Sequence, residues 1–159
     1  MNAATIVPAE RADLPQILAL QKVCFLREAE RVGDFTIAPL VQTLDEIAQE
    51  FTLRLFLKAQ GSGPIVGTVR ADCDEAGTCR IGRLCVQPAL RGQGLGTSLM
   101  HAIEARFVNA AQFEIFTGRT SEDVIRLYEQ LGYERVKREA GHHEWLVYLR
   151  KRRSLHMSG

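Results

Sequence analysis

The 159-residue sequence has no long hydrophobic run, no strong excess of either charge and few cysteines. No apolar stretch approaches the roughly 18 residues that a membrane-spanning helix needs, so we expect no membrane association. The 20 basic and 19 acidic residues give a formal net charge of +1. This near-neutral composition lacks the basic excess that is typical of nucleic-acid-binding proteins. The first residues show no charged-then-apolar signal pattern, which favours a cytoplasmic location.

The four cysteines, Cys24, Cys73, Cys79 and Cys85, do not predict a metal site. None belongs to a Cys-x-x-Cys pair, and their separations are wider than those of structural zinc sites. Cys73 and Cys79 flank a turn-like segment and are placed to face each other across a hairpin. We expect reduced thiols in a cytoplasmic protein and interpret all four as small buried side chains.

The hydrophobic pattern predicts a single domain over residues 1–159, with a polar tail from about residue 153. The predicted order is β-α-α-β-β-β-α-β-α-β-β, an α/β or α+β mixed sheet. Three consecutive strands, within 53–60, 64–73 and 79–88, are predicted to form an antiparallel meander. In the first, Leu53, Leu55 and Leu57 alternate on one face. The segment 31–43 has no clear period and is predicted to be a loop.

A glycine-rich turn follows the third strand of the meander and leads directly into an amphipathic helix. It runs from Arg91 to Thr97, with glycines at Gly92, Gly94 and Gly96. A helix N-terminus offers an anion unpaired N–H groups and a favourable dipole. Glycines let the main chain approach such a ligand closely, and Arg91 adds a cation suited to phosphate. The turn is therefore a candidate phosphate-binding site.

Two general phosphate-binding motifs fit this turn poorly. A P-loop requires a lysine after its last glycine, and none follows Gly96. The dinucleotide-binding fingerprint requires a glycine where Thr97 stands, and a parallel sheet rather than an antiparallel meander. A tight turn that binds no ligand is the plain structural alternative.

Two blocks of the sequence together resemble the GNAT family of N-acetyltransferases. VQPALRGQGLG, from Val86 to Gly96, is similar to the acetyl-CoA loop V-x-P-x-x-R-G-x-G-x-G of that family. LYEQLGY, from Leu127 to Tyr133, is similar to its second pattern, L-Y-x-x-x-G-[FY]. The spacing of the blocks and the order of strands and helices also match, so the resemblance spans nearly the whole chain. It implies the GNAT acyl-CoA N-acyltransferase fold and acetyl-CoA as co-substrate.

The resemblance also implies where acetyl-CoA binds. Its pyrophosphate would contact main-chain N–H groups of seven consecutive residues: Arg91, Gly92, Gln93, Gly94, Leu95, Gly96 and Thr97. Its pantetheine arm would pair with the main chain of Leu84, Cys85 and Val86, in a wedge opened where the strand 113–118 diverges. Ser121 stands where many relatives have an asparagine that contacts the pantetheine. A role as N-cap of the following helix would occupy its hydroxyl instead.

Acyl transfer requires a neutral amine, stabilisation of an oxyanion and help for the departing thiolate. The resemblance implies that a main-chain N–H near Val86 stabilises the oxyanion. It also implies that Tyr128 assists the departing thiolate. Full proton transfer from a tyrosine (pKa about 10) to a thiolate (about 8.5) is uphill by roughly 2 kcal/mol, which favours hydrogen-bond donation.

Many relatives carry a glutamate on the strand before the turn, but here Arg80 and Arg83 are its only charged residues. The remaining candidate bases are Glu28, Glu30, Glu75, His142 and His143.

The sequence does not identify the acceptor. Acceptors of the family enter near segments that correspond here to 34–40 and to the stretch around His142, His143 and Trp145. We predict acetyl transfer to a primary amine of a small molecule or peptide, by direct attack in a ternary complex, in a homodimer. The alternative is a catalytically silent protein that binds acyl-CoA as a sensor or partner-binding module. The missing strand glutamate favours that alternative, whereas Tyr128 favours the enzyme.

Overall fold

A mixed sheet of seven strands organises the part of the chain that the computed structural model describes, residues 4–136 and 146–153. The order across the sheet is β1-β2-β3-β4-β5-β7-β6. This confirms the predicted mixed α/β fold. The strands are β1 Thr5–Pro8, β2 Leu55–Gln60, β3 Ile65–Cys73, β4 Thr78–Val86, β5 Gln112–Gly118, β6 Glu134–Val136 and β7 Leu146–Arg152.

Helices cover both faces of this sheet. They are α1 Leu14–Val32, α2 Ala38–Val41, α3 Leu44–Phe51, α4 Leu95–Arg106 and α5 Glu122–Gln130, with short 3-10 turns at Arg11–Asp13 and Pro88–Leu90. None of the described helices combines the length and the apolar character needed to cross a bilayer.

The predicted antiparallel meander is formed by β2, β3 and β4. The predicted start of its first strand is wrong. Residues 52–54 continue the end of α3 instead, since the N–H groups of Leu53 and Arg54 both donate to the Glu50 carbonyl. Leu53 is 75% exposed in this turn, and the strand begins at Leu55.

The predicted loop over 31–43 is also wrong in part, because α1 extends to Val32 and α2 adds one helical turn. A buried glutamine stabilises this arrangement. The Gln21 side-chain amide donates to the Pro39 carbonyl and to Gln42 Oε1, both at 2.9 Å. This contact joins residues about 20 positions apart, which no local pattern reveals.

Strand β4 contributes to both hydrophobic clusters of the protein. Cys85 packs with α1 and α3 in one cluster, whereas Ile81 packs with α4 and α5 in the other. In α4 the predicted amphipathic helix is confirmed, with Leu99 and Ile103 fully buried. β4 therefore lies between the helices of the two faces, and its end leads directly into the glycine turn.

A wedge opens between the adjacent parallel strands β4 and β5. They pair only over Thr78–Arg80 and Gln112–Glu114. On its other edge β5 is paired with β7 along its whole length, from Gln112 to Gly118. The remainder of β4, up to Val86, has no β5 partner among the described residues. The divergence implied by the family resemblance is therefore present.

Candidate active site

The glycine turn places an unobstructed helix N-terminus at one end of the wedge. Gly92 and Gly94 have φ angles of +79° and +85°, a left-handed conformation that other residues adopt at a cost. A Cβ built on either glycine would have no atom within 4 Å, so the space before α4 is open. The first N–H groups of α4, from Leu95 onward, have no partner within the helix. This geometry is suited to an anion of the size of a phosphate.

Gly96 has a different role from the two preceding glycines. It lies in the first turn of α4. A Cβ there would lie 3.4 Å from Leu127 Cδ2 and 3.8 Å from Val86 Cγ2. The small residue thus lets the start of α4 pack closely against α5 and the end of β4.

The main chain of Val86 faces the wedge. The Gln87 N–H donates to the Val66 carbonyl at 2.8 Å, so residue 87 is directed toward β3. Because these groups alternate along an antiparallel strand, the N–H and C=O of Val86 point to the opposite, open edge. Cys85, which pairs with Thr68, is directed toward β3 instead. Of the predicted set Leu84, Cys85 and Val86, Val86 therefore offers its main chain to the wedge, whereas the main chain of Cys85 is directed toward β3 and its side chain is buried.

A β-bulge precedes these residues. Thr68 pairs with Cys85 and Arg70 with Gly82, so two residues, Arg83 and Leu84, oppose Val69 alone. Arg83 has a φ of +53°, the one positive φ of a non-glycine residue in the described chain. Bulges bend a strand and increase its twist, which accounts for the departure of β4 from β5. No pattern in the sequence predicted this bulge.

Tyr128 lies on α5 and is only 4% exposed. Its ring packs against that of Tyr133, with centroids 6.0 Å apart. Burial raises the pKa of Tyr128 well above its ordinary value, and the charges of Cys85 and Glu28 add to the shift. The phenol therefore stays protonated and is suited to donate a hydrogen bond.

Glu28 of α1 connects three elements at the end of β5, where the wedge is open. Its Oε1 accepts hydrogen bonds from the Gly118 N–H at 2.9 Å and from the Ser121 hydroxyl at 3.1 Å. A Cβ on Gly118 would collide with Oε1, so only glycine allows this approach. Ser121 is the N-cap residue of α5, but its hydroxyl makes no capping bond. Of the two roles left open for the Ser121 hydroxyl, the capping bond is therefore absent.

Two other candidate bases, Glu30 and Glu75, do not share the contacts that Glu28 makes. Glu30 is exposed on α1. Glu75 lies in the β3–β4 turn, beside Asp74 and Val108 in a shallow depression. The nine residues of β4 span about 26 Å, so this turn is at the opposite end of the strand from Val86. His142 and His143, with Trp145, lie outside the described residues.

Cys24 is a site residue that the sequence analysis missed. Its Sγ donates to the Val86 carbonyl at 3.3 Å, on the open edge of β4. A hydrogen bond with the Cys85 thiol, aided by the nearby Arg91 guanidinium, lowers the pKa of Cys24 to about 7. Cys85 is fully buried and Cys24 half-buried, but Cys73 is exposed, so the interpretation of four buried cysteines is wrong for Cys73. Nothing in the spacing of the cysteines distinguishes Cys24.

Iodoacetamide should alkylate Cys24 at a rate that rises with a midpoint near pH 7. The reactive form is the thiolate, whose fraction grows as the pH passes the pKa, and an ordinary thiol has its midpoint near pH 8.5. Mass spectrometry of the labelled peptide, in a Cys73→Ser background, gives this profile. Arg91→Gln should move the midpoint upward. A midpoint at or above that of the urea-unfolded protein would contradict the assignment.

Comparison with known proteins identifies the family of the chain. Residues 28–151 match the family model described as acetyltransferase (GNAT) domain. The chain belongs to the GNAT acetyltransferase family. Membership indicates an acyltransferase. A search of the curated proteins found no match.

Solved structures of GNAT proteins share the fold at low sequence identity. PaiA N-acetyltransferase from Thermoplasma acidophilum, in complex with coenzyme A, has a TM-score of 0.81 and 13% identity, covering 95% of this chain and 99% of that one. Ribosomal-protein-S18-alanine N-acetyltransferase from Escherichia coli has a TM-score of 0.75 and 18% identity, covering 100% and 97%. Phosphinothricin acetyltransferase from Sinorhizobium meliloti, in complex with AcCoA, has a TM-score of 0.72 and 19% identity, covering 94% and 88%. At these identities the likeness establishes the fold.

Proposed function

We propose that this protein transfers an acetyl group from acetyl-CoA to a primary amine of a small molecule or peptide. The amine attacks the thioester directly while both substrates are bound. The observation that carries this proposal is the open edge of β4 at Val86, which leads straight into the glycine turn and the N-terminus of α4. Two solved GNAT structures of the same fold were determined with coenzyme A or AcCoA, which supports the choice of donor.

The described residues fit the successive parts of acetyl-CoA. The pyrophosphate is assigned to the N–H groups of the glycine turn and the first turn of α4, residues 91–97, where the space before the helix is open. The pantetheine arm is assigned to the open edge of β4. Ser121 donates to Glu28, and any contact it makes with the pantetheine uses its remaining lone pairs. The Val86 N–H faces the wedge and is assigned to the oxyanion.

The side chains are assigned two roles, which are hydrogen-bond donation to the leaving group and proton acceptance from the amine. When the amine adds to the thioester carbonyl and the C–S bond breaks, the electron pair leaves on sulfur. Tyr128 donates a hydrogen bond to this thiolate, and its raised pKa makes complete proton transfer still less favourable than for an ordinary tyrosine. The main contribution of Tyr128 is therefore electrostatic.

Glu28 is assigned the role of general base, which accepts a proton from the attacking amine. Its Oε1 accepts two hydrogen bonds, and its Oε2 accepts none from the described residues. Oε2 is therefore available to receive the proton, directly or through water. At pH 7 an α-amine requires only about 1.4 kcal/mol to become neutral, compared with about 4.6 kcal/mol for a lysine-like amine. An α-amine thus places the smaller demand on this carboxylate.

Calorimetry with acetyl-CoA and a thiol-release assay with a panel of amines test the proposal. We expect acetyl-CoA to bind and at least one class of amino acids, dipeptides or polyamines to be acetylated, with the product confirmed by mass spectrometry. Binding without turnover across the panel would instead support a silent acyl-CoA sensor. A folded protein that does not bind coenzyme A at millimolar concentration would overturn the proposal. The single domain over 1–159, the homodimer and the cytoplasmic location remain predictions.

A further inference from the structure

Arg83, on the bulge of β4, has a buried donor without a partner. Its Nε atom is inaccessible to solvent and makes no hydrogen bond within the described part of the chain. The residue also holds a left-handed conformation, with φ at +53°. A buried, unsatisfied donor on a charged group is unfavourable, so its retention requires a reason.

The acids near Arg83 are already engaged by other arginines. Glu50 of α3 forms ion pairs with both Arg70 and Arg54, and Asp72 pairs with Arg54. No acid among the described residues pairs with Arg83. Three guanidinium groups therefore share two carboxylates, which leaves one positive charge uncompensated.

The electrostatic surroundings of Arg83 agree with this imbalance. Burial lowers the pKa of Arg83, the charge of Arg54 lowers it further, and Cys85 opposes the shift. Burial, together with the charge of Arg83, likewise lowers the pKa of Arg70 to about 10, while Asp72 and Cys85 oppose that shift. An anion would relieve both the desolvation and the repulsion between the guanidinium groups.

Arg83 is also placed close to the proposed reaction centre. It lies three residues before Val86, roughly 10 Å along the strand. Its charge acts on Cys85, as does that of Arg91 from the glycine turn, and Cys85 packs with α1 and α3. Arg70 is likewise bonded to Glu50 of α3. The guanidinium group is thus on the side of β4 that α1 and α3 cover, which is also the side of the contact between Cys24 and Val86.

We propose that the Arg83 guanidinium binds an acidic group of the acceptor, so that the preferred amines carry a carboxylate or a phosphonate. This inference rests on the proposed acetyl transfer and specifies its substrate class. The planar guanidinium matches either acid through paired N–H donors. Polyamines, which carry no acid, are expected to be poor substrates.

The kinetic test compares acceptors that differ in their acidic group, with each rate expressed per neutral amine. Free amino acids, their carboxamides and their aminophosphonate analogues are assayed for kcat/KM, with the KM for acetyl-CoA followed in parallel. The wild type should prefer an acid to its amide by about tenfold or more, the effect of a bidentate ion pair. The relative rates of the carboxylate and phosphonate members identify which acid the site takes.

Arg83→Asn should remove this preference without changing the KM for acetyl-CoA. Asparagine tolerates the left-handed conformation, so the bulge is retained. Arg83→Lys, which keeps the charge but loses the fork, should restore the preference only in part. Arg80→Gln is the matched control, since Arg80 lies on the same strand, is exposed and pairs with Asp74 and Glu114. It should keep the full preference.

A second readout does not depend on activity. In the protein with bound coenzyme A, the Arg83 Nε–H signal in the nitrogen-15 NMR spectrum should shift when succinate or methylphosphonate is added. Acetamide should have no effect. Equal rates with acids and amides, or an equal loss of preference in Arg80→Gln, would overturn the inference while leaving acetyl transfer intact. If no amine is acetylated, the proposed function fails. If, in addition, neither succinate nor methylphosphonate shifts the Arg83 Nε–H signal, the acid-binding subsite is overturned as well.

Discussion

Tyr128→Phe will lower kcat by about 100-fold and leave the KM for acetyl-CoA within about twofold of its wild-type value. The substitution removes only the hydroxyl that is assigned to the departing thiolate. That interaction develops as the C–S bond breaks, so its loss raises the barrier without weakening donor binding. Steady-state kinetics at saturating amine, read as thiol release, measure both constants.

Tyr133→Phe is the control for this change. Tyr133 packs against Tyr128, and its hydroxyl donates to Glu104 Oε2 at 2.7 Å. Losing a hydrogen bond to a charged group should reduce the free energy of unfolding by about 1.5–3 kcal/mol. Its kcat should not change, since its hydroxyl is bonded to α4 and not directed at the wedge. A Tyr128→Phe enzyme with full kcat would remove Tyr128 from the mechanism.

Gly94→Ala will weaken acetyl-CoA binding by about tenfold or more. At a φ of +85° the alanine is strained by about 1–2 kcal/mol. In relieving that strain the turn must re-aim the N–H groups that precede α4. Its methyl group would also project into the open space before the helix, where the pyrophosphate is assigned. Isothermal titration calorimetry with acetyl-CoA and with coenzyme A measures the change.

Gly33→Ala offers a matched comparison. Gly33 ends α1 at a φ of +70°, and a Cβ there also has no atom within 4 Å. The two substitutions therefore impose similar backbone strain, and the free energies of unfolding should fall by similar amounts. Only Gly94→Ala should affect binding. Equal affinities in the two variants would show that the turn does not hold the diphosphate.

Local patterns predicted the parts of the site that depend on neighbouring residues. The glycine turn followed by an amphipathic helix was evident because backbone freedom and helical periodicity are encoded within a few residues. The meander was predicted from three short runs, and its first strand was placed too early only because Leu53 continues the apolar alternation of β2. That residue instead lies in hydrogen-bonded turns at the end of α3, where local bonding overrides the pattern.

The remaining parts of the site arise from contacts between distant positions. Cys24 meets the Val86 carbonyl across 62 residues, and Glu28 meets the Gly118 N–H across 90. Each contact exists only because α1 packs against β4 and the end of β5. The unpartnered Arg83 donor likewise results from a bulge set by the register between two strands.

The amino-acid sequence alone therefore determined the family, the glycine turn and the position of Tyr128 in α5, since these depend on short-range periodicity and spacing. The tertiary structure alone decided which thiol meets the end of β4, which carboxylate meets the end of β5, and which guanidinium stays without a partner. Their positions follow from helix packing and strand register, in which residues far apart in the chain become neighbours.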